Sequence, residues 1–136
     1  MEDNECRVYF GLYGDDFDPK EITSILGIDP TSTKRRGEKV PNSVPKFSSW
    51  TLSTGNAAGG SADVYELSSE IVNKLQPKKD LIIEAMRRFS AFSKLQVVLS
   101  ISIKENVSTP GIGFDVDTIK FLGEIGAFID IDTYKE

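Results

Sequence analysis

Histidine is absent from this chain of 136 residues, and cysteine occurs once. Without histidine, the protein lacks the commonest general base, the commonest neutral metal ligand and every nucleophile that a histidine activates. The single thiol, Cys6, has no second cysteine with which to form an internal disulfide, and this favours a reducing compartment. We therefore expect no catalytic site, no metal and no cofactor.

Long apolar runs are also missing, because no stretch approaches the roughly 18–20 residues that cross a bilayer. The first ten residues, MEDNECRVYF, are acidic and polar, whereas a signal peptide begins with basic residues. Hydrophobic residues make up 39% of the chain and charged residues 27%, a balance typical of globular proteins. We expect a single cytoplasmic domain over residues 1–136 that makes no membrane contact.

The net charge is −5, so general affinity for nucleic acid is not expected. This charge is unevenly distributed along the chain. Residues 30–46 contain one acid and five bases, a net charge of +4, so the rest of the chain carries −9. Segregated charge gives an oriented field, which speeds encounter with a complementary partner.

The stretch GLYGDDFDP, residues 11–19, joins a strand to a helix. Alternating apolar residues over 7–13 predict the strand. Asp18 precedes Pro19, and Glu21 follows at the third helical position, which is a strong signal for a helix start. Gly27 fits the left-handed residue that ends a helix. We therefore interpret Asp18 as a helix cap.

Apolar periodicity predicts the remaining elements. In chain order these are a long loop over 28–46, a strand over 47–54, a flexible connector over 55–62, a helical pair over 63–89, a strand over 94–104, a helix over 115–125 and a strand over 127–134. FDPKEITSI (17–25) is echoed by FDVDTIKFL (114–122). This order predicts an α+β fold on the ferredoxin-like βαβ plus βαβ plan, an antiparallel sheet with helices on one face and the helical pair as an insert.

Several stretches together resemble the bacterial family called domain of unknown function 4279. They are GDDFDPKEITSILGIDP (14–30), KRRGEK in the basic loop, the strand SSWTLST, the helix junction LQPKK and the terminal LGEIGAFIDIDTY (122–134). The resemblance covers about residues 7–134. It implies a small cytoplasmic bacterial α+β protein, and it brings no established activity and no catalytic residues.

Four aspartates form the first candidate site. Asp15 and Asp16 follow the first strand, while Asp130 and Asp132 share one face of the last strand because side chains repeat every two residues. In a ferredoxin-like sheet the first and last strands are neighbours, so we expect all four within a Debye length, about 10 Å. The EF-hand ligand spacing is missing. Ordinary solvated acids are favoured here, and a Ca²⁺ or Mg²⁺ site and an acidic surface for a protein partner are the alternatives.

The basic loop is the alternative site. Lys34, Arg35, Arg36 and Lys39 would contact an anionic small molecule or an acidic partner, unless they are simply solvated. The loop has no interleaved aromatic residues of the kind that bind single-stranded nucleic acid. The glycine-rich GNAAGGS (55–61) lacks the lysine of a phosphate-binding loop and is interpreted as a linker.

The favoured function is a non-enzymatic, cytoplasmic protein-binding domain, either an immunity-type factor or an accessory regulator, acting as a monomer or a homodimer. Tyr13 and Tyr134 would supply the apolar anchors beside the aspartates, and the partner would be basic. Trp50, Tyr9 and Tyr13 are large aromatics on strands and are expected to pack in the core or on a face of the sheet, or to form a binding surface if one face is uncovered. The alternative is a small-molecule or anion-binding domain that uses the basic loop 34–39.

Overall fold

The computed structural model describes residues 3–136. In this range, short 3-10 turns at Gly59–Ser61 and Gln76–Lys78 precede the second and third α-helices. In chain order, the strands and α-helices are β1 Glu5–Gly14, α1 Pro19–Leu26, β2 Ser32–Lys34, β3 Ser48–Ser53, β4 Ala57–Ala58, α2 Val64–Leu75, α3 Lys79–Arg88, β5 Phe92–Ile101, α4 Val116–Ile125 and β6 Phe128–Lys135.

The strands form one mixed sheet, and the α+β class is confirmed. The strand order is β2-β3-β1-β5-β6, with β4 paired to one end of β1. β1 runs antiparallel to β3 and β5, but β5 and β6 are parallel. The prediction of a wholly antiparallel sheet is therefore wrong. The ferredoxin-like plan is not confirmed, because β5 lies between the first and last strands. Helix α4 provides the crossover that a parallel pair such as β5 and β6 requires.

The core lies between the sheet and the helices. Along β1, Cys6, Val8, Phe10 and Leu12 are fully buried, while the residues between them are mostly exposed or half-buried. This alternation is what a strand covered on one face requires. The other strands and the helices complete the same cluster, with Trp50, Leu52, Leu95, Val97, Leu99, Ile22, Leu26, Ile71, Leu75, Ile82 and Phe121 among its members.

Short polar residues and glycines set the ends of α1 and α4, and the predicted Asp18 cap and Gly27 stop of α1 are confirmed. Asp18 is the N-cap of α1, and its carboxylate accepts a hydrogen bond from the Lys20 N–H at 3.0 Å. Asp115 caps α4 by accepting from the Thr118 N–H at 2.7 Å. Gly27 and Gly126 end these two helices with φ of 67° and 76°, a region that favours glycine.

Asp18→Ala is expected to lower the free energy of unfolding by about 1 kcal/mol, because the first turn of α1 loses its side-chain acceptor. Asp18 also pairs with Arg35 at 3.3 Å. Asp18→Asn keeps the cap but removes the ion pair, which is partly exposed and worth little. Urea titration should therefore rank the proteins wild type, Asn and Ala, with Asn near wild type. Equal losses for Asn and Ala would contradict the cap interpretation.

Three local predictions need correction. The loop over 28–46 contains the short strand β2 and a bridge between Val40 and Ser43, and the connector over 55–62 contains β4. The apolar spacing of Ile119, Leu122 and Ile125 predicts that all three face inward from the helix over 115–125, but Ile119 is 56% exposed. Strands of two or three residues are too short for a visible period, and their pairing depends on distant partners. The helical pair over 63–89 is confirmed as α2 and α3.

Candidate functional site

The face of the sheet opposite the helices, here called the open face, carries the candidate site. Its residues are the outward-pointing positions of each strand, and the strand register aligns them across the sheet. They are Ser32 and Lys34 on β2, Ser49, Thr51 and Ser53 on β3, Arg7, Tyr9, Gly11 and Tyr13 on β1, Phe92, Lys94, Gln96 and Val98 on β5, and Phe128, Asp130, Asp132 and Tyr134 on β6.

Four aromatic rings cross one end of the open face and form the aromatic row. Successive ring centroids lie 6.4 Å apart from Phe47 to Tyr13, 5.4 Å from Tyr13 to Phe92 and 5.8 Å from Phe92 to Phe128. The last two pairs are stacked, with interplanar angles of 27° and 19°. The three phenylalanines remain 48–51% exposed. Contiguous exposed aromatic rings are uncommon on protein surfaces and are typical of interaction sites.

Tyr13 is held flat against the sheet because its neighbour on the open face is a glycine. A Cβ built on Gly11 would overlap the Tyr13 ring and its hydroxyl. The Lys94 ammonium lies 5.0 Å from the centroid of the Tyr13 ring, within cation–π range. Burial, and to a smaller extent the neighbouring Tyr9, raises the pKa of Tyr13 to about 12. The phenol therefore stays neutral and remains a hydrogen-bond donor at physiological pH.

Gly11→Ala is expected to displace the Tyr13 ring into solvent, because the new methyl group occupies its place. The Tyr13 pKa should then fall from about 12 towards the usual value near 10. NMR titration of ¹³Cζ-labelled tyrosine, assigned with Tyr13→Phe, measures this directly. Gly60→Ala is a matched control, since a Cβ there meets nothing within 4 Å. An unchanged Tyr13 pKa in the Gly11 variant would contradict the packing described.

Asp130 and Asp132 lie on the open face of β6, the edge strand of the sheet. Asp130 is aligned with Gln96 and Asp132 with Val98 on β5. The Gln96 amide donates to the Asp132 carboxylate at 3.3 Å. Every residue of β6 is exposed, so its outer backbone and both carboxylates are accessible to another molecule.

The four aspartates do not form one cluster. Asp15 follows Gly14, which lies five residues, or roughly 16 Å, along β1 from Tyr9. Tyr9 is aligned through Gln96 with Asp130, two strand spacings or about 10 Å away. The two acidic pairs are thus separated by well over a Debye length. The expectation of a single cluster is wrong chiefly because the two pairs lie at different heights along the strands, and also because β5 intervenes between β1 and β6.

The two predicted tyrosine anchors are also far apart. Tyr13 is aligned with Phe92 at the start of β5, whereas Tyr134 is aligned with Ser100 near its end. Eight residues of strand separate these positions, which corresponds to about 26 Å. Only Tyr13 belongs to the aromatic row, and Asp15 lies beside it in a pocket that also includes Phe47 and Phe92.

The basic loop does not converge on one site. Lys34 ends β2 and is aligned with Ser49 on the open face. Arg35 pairs with Asp18 at the start of α1, and Arg36 donates its backbone N–H to Ser48. Lys39 is exposed further along the loop. Lys34 and Arg35 line one pocket together with Asp18, whereas Arg36 and Lys39 do not, so the four cations do not share one site.

Cys6 is fully buried on the inner face of β1. Burial, followed by the nearby Asp63, raises the pKa of its thiol to about 11. The thiol is therefore protonated at neutral pH and is not a nucleophile.

Sequence reasoning did not single out Arg7, Lys94 or the three phenylalanines of the aromatic row. A signal for the strand residues was present, because period-two alternation places Arg7 with Tyr13, and Phe92 with Lys94, on the outward face of their strands. Phe47 precedes β3, and its position depends on the loop.

The comparison with known protein families confirms the resemblance seen in the sequence. The model of a domain of unknown function (DUF4279) matches residues 4–136, so the chain belongs to that family. No curated protein and no solved structure matched the chain. Among residues 3–136, no helix is both long enough and apolar enough to cross a membrane. In the same range, no three His, Cys, Asp or Glu side chains are grouped as metal ligands.

Proposed function

We propose that this chain is a non-enzymatic, cytoplasmic protein-binding domain, of the kind found in immunity-type factors and accessory regulators, and that its partner docks on the open face. The observation that carries the proposal is the aromatic row of Phe47, Tyr13, Phe92 and Phe128. Covering these half-exposed rings removes apolar area from water, at roughly 25 cal/mol per Å². Aromatic residues of this kind typically dominate interface energies.

The exposed edge strand β6 indicates which kind of partner segment would bind. The aromatic row ends at Phe128, the first residue of β6, and Asp130 and Asp132 follow on the same face. An exposed edge accepts an extended segment by backbone pairing. Basic side chains at alternate positions of that segment would meet the two carboxylates. A second copy of β6 would bring aspartates close to aspartates, which disfavours self-pairing.

Reversing Asp130 and Asp132 to lysine is expected to slow association with the partner about tenfold at low salt and to flatten its salt dependence. Reversing Asp15 and Asp16 to lysine should change the association rate independently of the Asp130 and Asp132 reversal, because the two pairs lie well over a Debye length apart. Surface plasmon resonance over a salt series measures both effects once the partner has been captured from the native host.

The matched control is the double reversal of Asp29 and Glu105, two exposed acids outside the open face. It changes the net charge by the same amount, so any difference reports position rather than total charge. Equal slowing by the control and by the Asp130 and Asp132 variant would reject an acidic docking strand.

A further inference from the structure

A groove runs along β3 on the open face, away from the acidic edge. Its floor is Ser49, Thr51 and Ser53, because these alternate positions of β3 are aligned with the outward-pointing Tyr13, Gly11 and Tyr9 of β1, whereas Trp50 and Leu52 between them are buried in the core. Tyr9 and Tyr13 of the adjacent strand β1 also line it. The groove has a volume of about 440 Å³, which is within the range of small-molecule sites.

The charge of the groove is opposite to that of the chain. Arg7 and Lys34 line it near opposite ends, and no aspartate or glutamate does, although the chain has 21 acidic and 16 basic residues. Neither cation makes an ion pair with any other residue in the range 3–136. The Arg7 guanidinium lies 5.5 Å from the Tyr9 ring centroid, and Lys34 is aligned with Ser49.

We infer that this groove binds a sugar phosphate that carries an anionic group at each end. Arg7 would hold one phosphate through its planar, multi-donor guanidinium, and Lys34 would neutralise the other. The hydroxyl floor provides donors and acceptors for the sugar. The ring faces of Tyr9 and Tyr13 would pack against its carbon skeleton. The inference concerns binding alone and implies no step of chemistry.

The test is isothermal titration calorimetry of the full chain with fructose 1,6-bisphosphate, fructose 6-phosphate and fructose. We expect saturable binding of the bisphosphate, binding at least tenfold weaker for the monophosphate, and none for the neutral sugar. Arg7→Gln and Lys34→Gln should each weaken bisphosphate binding about tenfold or more, since each removes a charge-assisted contact.

Lys34→Gln should in addition abolish the preference for two phosphates over one. Lys39→Gln is the matched control, because it removes a lysine from the same loop but outside the groove, and it should bind the bisphosphate like wild type. Circular dichroism checks that each variant is folded. The inference is overturned if the bisphosphate fails to saturate at millimolar concentration, if inorganic phosphate binds equally well, or if Lys39→Gln loses as much affinity as Lys34→Gln.

Discussion

Trp50→Ala is expected to lower the free energy of unfolding by about 3–5 kcal/mol, the usual range for truncating a fully buried aromatic residue. Among residues 3–136, Trp50 is the largest fully buried side chain and has no exposed surface. It lies on β3, and its indole N–H donates to the Thr23 hydroxyl of α1 at 3.1 Å. The substitution therefore opens a cavity and breaks a link between the sheet and the first helix.

Two variants separate the cavity from the hydrogen bond. Trp50→Phe keeps part of the ring volume and removes the indole donor, so its loss should be clearly smaller than that of Trp50→Ala. Thr23→Val leaves the indole without its acceptor and is expected to cost about 1–3 kcal/mol. Urea denaturation, followed by circular dichroism, measures all three. A loss below about 1 kcal/mol for Trp50→Ala would show that Trp50 is not central to the core.

Tyr13→Ala and Phe92→Ala are each expected to weaken partner binding by about 2 kcal/mol or more, which is roughly 30-fold. These two rings stack at the centre of the aromatic row, where a docked protein would exclude water most completely. The change should appear mainly as faster dissociation, because removing an apolar anchor leaves long-range steering intact. Kinetic measurement with the captured partner provides both rates.

Tyr65→Ala is the matched control for these variants. Tyr65 is 45% exposed but lies on α2, in the helical layer on the opposite side of the sheet. Its removal should leave partner dissociation unchanged. If Tyr65→Ala accelerates dissociation as much as Phe92→Ala does, the partner does not dock on the aromatic row.

Local features of this fold were predictable from the sequence because neighbouring residues determine them. The Asp18 cap depends on a short polar side chain before Pro19 and on glycine at the other end of the helix. The strands of six or more residues were found because a period of two is visible over such lengths. The three-residue β2 gives no such signal, so it was taken as part of a loop.

Strand order was not predictable in the same way, because pairing joins residues that are distant in sequence. The βαβ pattern over β5, α4 and β6 allows the two strands to be direct neighbours or to enclose a third strand. The ferredoxin-like plan places a third strand between them, whereas in the structure β5 and β6 are direct neighbours. The expected closeness of Asp15 to the acids of β6 depended on that strand order and on the register along the strands, and neither can be read from periodicity.

Individual residues of the candidate site were therefore predictable from the sequence, but their grouping on one surface was not. Tyr13, Asp130 and Lys34 were singled out from their chemistry, and all three lie on the open face. Their grouping changed once the strand order was known. Phe128 reaches the aromatic row only because β6 runs parallel to β5, a relation that composition and periodicity do not reveal.

Site-specific photocrosslinking tests the central claim, docking of a protein on the open face, most directly. The photoreactive residue p-benzoylphenylalanine would replace Phe92 in one variant and Ile119 in another. Both side chains are large, apolar and just over half exposed. Phe92 lies on the open face of the sheet, whereas Ile119 lies on helix α4 on the other side. In the native host, we predict one discrete protein adduct from position 92, lost when Tyr13→Ala is added, and none from position 119. An equal adduct from both positions, or an adduct from position 119 alone, would contradict the account.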